Sequence, residues 1–263
     1  MKKVSQIILF IFFCGPVAAK TFVVSDIDDT IKQSNSVSSL GQVYHFYRMK
    51  SYPVMATIFQ DIAAKADVTF YYVSAAYDFL YLQERWLDRY GFPYGETFLR
   101  QGLGEQSYEH KYEAMALLLE QVSDEDDVYF FGDNSSHDPQ VYLDIIKDLT
   151  IKNSHIFIRD VTMTAHDTGV GLAIERLAGI HYFVSELDLI KVLPLVISAK
   201  TKDLLLDLFT DEKLIPNYTH RTLSRLLSQS DRCYHNFIYV KENLSHPCPA
   251  AISYFRSYYG QII

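Results

Sequence analysis

The sequence predicts a doubly wound α/β fold, a Rossmann-like parallel sheet wrapped by helices, with a C-terminal helical extension. Three observations predict it. Continuous apolar runs at 21–27, 68–73 and 128–131 read as buried strands. Between them lie segments of helical periodicity, the alternation that builds parallel sheets. From residue 186 onward that alternation ceases and only helical runs remain.

At 263 residues, with 49% hydrophobic and 14% aromatic content, the chain can bury a full core. It opens with Lys2-Lys3, an apolar run from Ile7 to Phe13, and the small-residue pattern Val17-Ala18-Ala19 before Lys20. This reads as a secretory signal peptide over residues 1–19, so the protein is expected to be exported, periplasmic or secreted. The apolar run is shorter than the roughly 20 residues a membrane span needs, which leaves an uncleaved anchor as the alternative. Cys14 lacks the small residue that precedes a lipoprotein cysteine. Loss of Lys2 and Lys3 with the leader moves the formal charge from −8 to −10. An acidic surface opposes nucleic-acid backbones, so no nucleic-acid partner is expected. Cys233 and Cys248 then remain, either as a disulfide suited to an oxidising compartment or as two thiols. The N-x-S/T matches at Asn134 and Asn217 are weak signals.

The main domain is expected over residues 20–185. The strand at 21–27 comes first, and 33–41 is polar loop. Val54, Ile58, Ile62 and Ala66 predict a helix over 54–66, followed by the strand at 68–73. A helix at about 79–90 is broken by Gly91 and Pro93, a short segment surrounds Phe98, and Met115, Leu118 and Leu119 mark a helix over 109–122. After the strand at 128–131, Pro139 suits the first turn of a helix ending at Lys147. Strands at 156–158 and 182–184 complete the sheet. The extension, 186–263, carries helical runs at 187–196, 204–209 and 223–227, with polar breaks at 210–213 and Asn217. Tyr254, Tyr258 and Tyr259 lie in its tail, as ordinary packing residues or as a membrane-facing or partner-facing patch.

The first strand runs into Asp26, Asp28 and Asp29, a density of like charge that repels itself unless a cation sits among the carboxylates. A solvated turn is one alternative and a calcium loop another. Counted as an EF-hand from Asp26, however, Ile31 and Val37 stand where the turn glycine and the bidentate glutamate belong. The stronger reading makes Asp26 a nucleophile and Asp28 an acid/base at a magnesium-bound phosphate. In doubly wound sheets, reactive groups gather at the carboxyl ends of strands. Three further groups follow that rule: Ser74 after the second strand, Lys111 at a helix start, and Gly132-Asp133 after the third strand. Ser74 and Lys111 would hold phosphate oxygens. Asp133 would complete a Mg²⁺ shell with Asp26 and Asp28. Thr30 and Asp138 are expected in support, and His137 reads as a solvated loop residue.

Together, Asp26-Ile27-Asp28-Asp29-Thr30-Ile31-Lys32, Tyr72-Val73-Ser74, Phe92-Pro93 through Leu99-Arg100, Lys111, Gly132-Asp133 with Asp138-Pro139, and Ile158-Arg159-Asp160-Val161-Thr162 resemble the App1-like phosphatidate phosphatase catalytic domain family. The resemblance spans about residues 22–162. It implies a haloacid dehalogenase-like fold with a minimal cap and Mg²⁺-dependent removal of phosphate from phosphatidate-type lipid. It makes Asp26 the nucleophile, Asp28 the acid/base, Ser74 and Lys111 the phosphate binders and Asp133 a metal ligand, with Asp138 steadying the metal or the lysine. Two loops depart from the family pattern. Ser74 is followed by Ala75-Ala76-Tyr77-Asp78-Phe79 instead of an Asn-Ser-Pro-Trp-like run, and Asp133 by Asn134-Ser135-Ser136 instead of Ser-Gly-Gln.

Spacing bears on the substrate separately. Only 43 residues separate Thr30 from Ser74 and 36 separate Ser74 from Lys111, little room for an inserted cap. An open site suits a large phosphorylated substrate such as a lipid surface, with peripheral membrane contact. A soluble phosphomonoester or phosphoprotein is the alternative substrate, and a catalytically silent binding module the alternative function. The spacing carries no information on oligomeric state.

Overall fold

The computed structural model describes residues 19–34, 50–52, 54–77, 83–101, 106–159, 177–183 and 186–210. Strand β1 (Thr21–Ser25) is buried along its whole length because it lies inside a six-stranded sheet. The other strands are β2 (Val68–Tyr77), β3 (Glu96–Arg100), β4 (Asp127–Asp133), β5 (Asn153–Arg159) and β6 (Ile180–Phe183). Their order is β3-β2-β1-β4-β5-β6, and every neighbouring pair is parallel. The chain therefore winds outward from β1 in one direction, returns, and winds out in the other. The reversal falls between β1 and β4, where such sheets open a crevice at the carboxyl ends of the strands.

Period-two alternation along each strand splits the interior into two cores. Val23, Phe70, Tyr72, Tyr129, Phe131 and Phe157 face one side, where helix α1 (Met55–Ala63) covers them with Met55, Ile58, Phe59 and Ile62. Phe59 is the hub, with ring centroids 4.9 Å from Phe131 and 5.7 Å from Phe92. Helix α2 (Gln83–Arg89) adds Trp86 and Leu87 to that side. Phe22, Val24, Tyr71, Val73, Val128, Phe130, Ile156 and Ile158 face the other side. There they meet helix α3 (Ser107–Leu119) through Met115, Leu118 and Leu119, and helix α4 (Asp138–Asp148) through Val141, Tyr142 and Ile145.

Helices α5 (Glu186–Val192) and α6 (Ala199–Thr210) follow β6. Leu189, Leu193, Ile197 and Leu205 join the α1 side of the core. Asp61 on α1 ties this layer down, accepting from the Ser198 amide at 2.9 Å and the Thr201 hydroxyl at 2.6 Å. Among the described residues, no helix is long and apolar enough to cross a membrane.

Several elements differ from expectation at their ends. β2 continues past Val73 to Tyr77, since Ser74 still pairs with Leu99 and Tyr77 with Arg100 across an irregularity. Its small and polar continuation hid it in the sequence. The segment around Phe98 is the edge strand β3, and the helix expected over 187–196 stops at Val192. Pro194 has no amide hydrogen to continue that helix. Residues 1–18 of the leader expected over 1–19, Asp160 through Thr162, the helix at 223–227, Asn217, Cys233, Cys248 and the tyrosine-rich tail lie outside the described residues.

Candidate active site

β1 and β4 are neighbours in register, with Ser25 opposite Phe131, so the residues just past them emerge side by side. The Asp26 amide donates to the Phe131 carbonyl at 2.8 Å, extending the pairing one step. Asp26 and Asp133 are thereby fixed at the same end of adjacent strands. Beyond Asp26 the chain turns tightly: the amides of Ile31 and Lys32 both donate to the Ile27 carbonyl, at 3.1 and 2.9 Å. Asp29 takes φ of 59° there, a left-handed conformation that aspartate tolerates better than most side chains. The turn brings the Thr30 hydroxyl back to donate to Asp26 Oδ2 at 3.0 Å.

Helix α3 supplies the cation. Lys111 falls on the same stripe as Met115, Leu118 and Leu119, so helical periodicity drives its side chain into the protein. Its Nζ donates to Asp26 Oδ1 at 2.8 Å and also to Asp138 Oδ1. Asp138 is the inward-facing first residue of α4, and its Oδ2 accepts from the Asp133 amide at 3.2 Å. Gly132 permits this close approach. A Cβ there would stand 2.7 Å from Asp138 Cβ and 2.8 Å from its Oδ2.

Oxygens of Asp26, Asp133 and Asp138 lie within 4.8 Å of one another, all three buried. Three carboxylates thus share one ammonium. Burial pushes Asp26 up to about 7, with the neighbouring Asp138 and Asp28 adding to the rise and Lys111 opposing it. Burial likewise raises Asp133 well above the usual carboxylate range, again reinforced by Asp138 and Asp26. Lys111 moves against its own desolvation: Asp138, Asp26 and Asp133 hold its ammonium above the ordinary lysine range. This charge imbalance, carried by hard oxygen donors, fits a divalent cation.

Asp28 belongs to a second group. Its carboxylate, about a quarter exposed, accepts from the hydroxyls of Ser34 and Ser74, the latter at 3.2 Å, and lies 3.3 Å from Lys32 Nζ. Burial raises its pKa, but Lys32 and these hydrogen bonds outweigh it and the net direction is downward. Ser74, at the carboxyl half of β2, also accepts the Ala76 amide at 3.0 Å. The two groups share one cleft of about 290 Å³, whose lining includes Asp26, Asp28, Lys32, Ser34, Lys111 and Asp133 together with Tyr77, Arg100 and Ser136.

All seven residues singled out in the sequence therefore gather at one end of the sheet. The three carboxylates that converge are Asp26, Asp133 and Asp138, while the Asp28 side chain points to Lys32 and the serines. His137 is exposed at the start of α4, its carbonyl accepting from the amides of Gln140 and Val141. Asn134 is buried, which disqualifies its N-x-S match as an exposed acceptor. Lys32, Ser34 and Arg100 had no assigned role in the sequence. Lys32 and Arg100 lie inside the motif runs and Ser34 just beyond one, and sequence position alone does not separate a lining residue from a solvated one.

The family described as phosphatidate phosphatase APP1, catalytic domain, matches residues 21–160, more than half of the chain. The chain belongs to that family. The doubly wound parallel sheet agrees with the haloacid dehalogenase-like fold of that family. The APP1 match begins at β1 and ends one residue after β5, so it takes in every residue of both carboxylate groups. No curated protein matches the chain. Among solved structures, a chain of the Pnkp1/Rnl/Hen1 complex is 16% identical with a TM-score of 0.38, covering 52% of this chain and 44% of that one. This chain thus spans less than half the length of that protein.

Proposed function

We propose that the protein is an exported, Mg²⁺-dependent phosphatase that removes the phosphate of a phosphatidate-type lipid through an aspartyl-phosphate on Asp26. The observation that carries the chemistry is the buried Asp26–Lys111–Asp138 chain beside Asp133, opening onto a cleft. Asp26 and Asp133 would hold the ion. Once bound, it would polarise the phosphoryl oxygens and return both carboxylates to their ionised state.

Lys111 and Thr30 orient the Asp26 carboxylate, one on each oxygen. An Asp26 oxygen attacks phosphorus while the bond to the leaving oxygen breaks, and that oxygen takes a proton from Asp28. In the second half Asp28 takes a proton from water, the water oxygen attacks phosphorus, and the bond to Asp26 breaks. Inorganic phosphate leaves and Asp26 is restored. Asp28 is held ionised by Lys32, Ser34 and Ser74, ready for the second half. Its protonation for the first half is favoured by the arriving phosphate dianion, since a like charge nearby raises a carboxylate pKa.

Family membership supports the lipid substrate, as does the size of the cleft. About 290 Å³ accommodates a phosphorylated head group, which leaves acyl chains outside, at a membrane surface. The leader-like first 19 residues support export. A second reading, a soluble phosphomonoester or phosphoprotein, is favoured by the departures from the family pattern, because Ala75, Ala76, Tyr77, Ser135 and Ser136 all line the cleft. Assays of phosphatidate in vesicles, lysophosphatidate, a phosphopeptide and a nucleotide, side by side with Mg²⁺, decide between the two. A phosphopeptide or nucleotide preferred tenfold, about 1.4 kcal/mol of transition-state discrimination, would replace the lipid reading.

A further inference from the structure

Arg159 closes β5, two strands away from Asp26, and is fully buried. Its guanidinium lies 3.7 Å from the centroid of the Tyr52 ring and 4.7 Å from that of Phe183. From this position Nε donates to the Thr30 carbonyl at 2.9 Å, and Nη2 donates to Glu186 Oε1 at 2.9 Å. Thr30 in turn donates its hydroxyl to Asp26 Oδ2. The backbone of Arg159 reaches the opposite loop, where its carbonyl accepts from the Asn134 amide at 3.1 Å, one residue past Asp133. One residue therefore touches both loops that carry the converging carboxylates.

We propose that Arg159 is a positioning residue for the phosphatase reaction, fixing the Asp26–Thr30 turn against the Asp133 loop, with Glu186 on α5 fixing Arg159. The inference rests on the reading of Asp26 as the nucleophile. Stability alone gives little reason for such a pair, because well-packed apolar residues commonly serve a core as well as a buried ion pair does. What a planar guanidinium offers is a rigid fork: it sends donors to two acceptors at defined angles while stacked between rings. Its consequence is geometric. The Thr30 carbonyl and hydroxyl belong to one residue, so anchoring the carbonyl aims the hydroxyl at Asp26. A reacting oxygen displaced by about 1 Å loses on the order of 100-fold in rate. The arrangement also couples the segment after β6 to the nucleophile, through Glu186, Arg159 and Thr30 in succession.

The test compares Arg159→Lys and Glu186→Gln with Leu193→Ala, which removes apolar packing from the same segment and touches no polar link. Each full-length protein is assayed with a chromogenic aryl phosphate and Mg²⁺, and kcat is expressed per folded molecule from the amplitude of its unfolding transition. Arg159→Lys keeps the charge and loses the fork. It should lower kcat roughly 10- to 100-fold with KM within about twofold, the split expected when orientation rather than binding is lost. Glu186→Gln should lower kcat by several-fold, and Glu186→Asp should recover part of it. Leu193→Ala should lower the melting temperature and leave kcat per folded molecule unchanged. Equal kcat in all the folded variants would overturn the inference, and so would failure of both Arg159→Lys and Glu186→Gln to fold, since the pair would then be only a structural clamp. Asp26→Asn separates the two claims: activity retained there removes the nucleophile reading, whereas an inactive Asp26→Asn beside a fully active Arg159→Lys removes the positioning role alone.

Discussion

Lys111 Nζ and Asp26 Oδ1 meet at 2.8 Å inside the protein, 85 residues apart in the chain and both almost wholly screened from solvent. A helix on one face of the sheet and the end of a central strand supply the two partners. Asp138 takes a second hydrogen bond from the same ammonium.

Replacing Lys111 with methionine keeps an unbranched side chain, one atom shorter, and removes its charge. Asp26, Asp133 and Asp138 then face one another without their shared cation. The variant should lose roughly 3–5 kcal/mol of stability, the usual cost of leaving buried charge unpaired, and turnover should fall by about two to three orders of magnitude. Chemical denaturation and steady-state assay measure the two effects separately. A methionine variant with normal turnover would exclude Lys111 from the reaction.

Asp26→Asn should abolish turnover and covalent phosphate capture together, because an amide oxygen is no nucleophile at phosphorus. Acid quench after exposure to radiolabelled substrate reads the capture directly. Label retained on the Asp26→Asn chain would move the covalent step to another residue.

Divalent-ion stabilisation should depend on pH with a definite sign. Asp26 is raised to about 7 in the folded protein from an ordinary 3.8, so the metal-free fold is favoured below about pH 4 and loses that contribution as pH rises towards 7. The ion requires ionised carboxylates, so the gain from Mg²⁺ over EDTA should grow across the same interval. Melting temperatures with Mg²⁺ and with EDTA at pH 5 and pH 8 test this, and taking their difference cancels groups away from the cluster, such as His155. An equal Mg²⁺ effect at both pH values would locate the ion outside this cluster.

Asp133→Ala should raise the Mg²⁺ concentration needed for half-maximal rate before it affects anything else, since Asp133 lies beside Asp26 without contacting Lys111 at hydrogen-bond distance. A Mg²⁺ titration of the variant decides it: an unchanged midpoint assigns the ligand elsewhere.

Gly132→Ala should damage the site through shape alone. Its Cβ would stand 2.7 Å from Asp138 Cβ and 2.8 Å from a Tyr142 ring carbon, and neither neighbour is free to retreat. Asp138 is tied to Lys111 and the Asp133 amide, and Tyr142 donates to the Phe131 carbonyl at 2.8 Å. A loss of about 1–3 kcal/mol, typical of overpacking, should accompany reduced turnover. Wild-type stability in this variant would show that the Asp138 helix can shift.

By itself the sequence determined the class of fold and named polar residues that the sheet gathers at the carboxyl ends of its strands. Continuous apolar runs ending in Asp26, Ser74 and Asp133 are local signals, because a buried strand needs apolar side chains and its carboxyl end can carry polar ones. Lys111 was legible as a cation at a helix start, and the structure shows why it is buried: it shares a helical stripe with Met115, Leu118 and Leu119. Only the tertiary structure decided how these groups pair. Asp28 follows Asp26 by two positions, yet the turn at Asp29 sends it to Lys32, Ser34 and Ser74, and Asp138 converges with Asp26 and Asp133 instead. The Arg159 links to Thr30 and Glu186 likewise span 129 and 27 residues. No periodicity records such contacts, because they arise where strands distant in sequence become neighbours in the sheet.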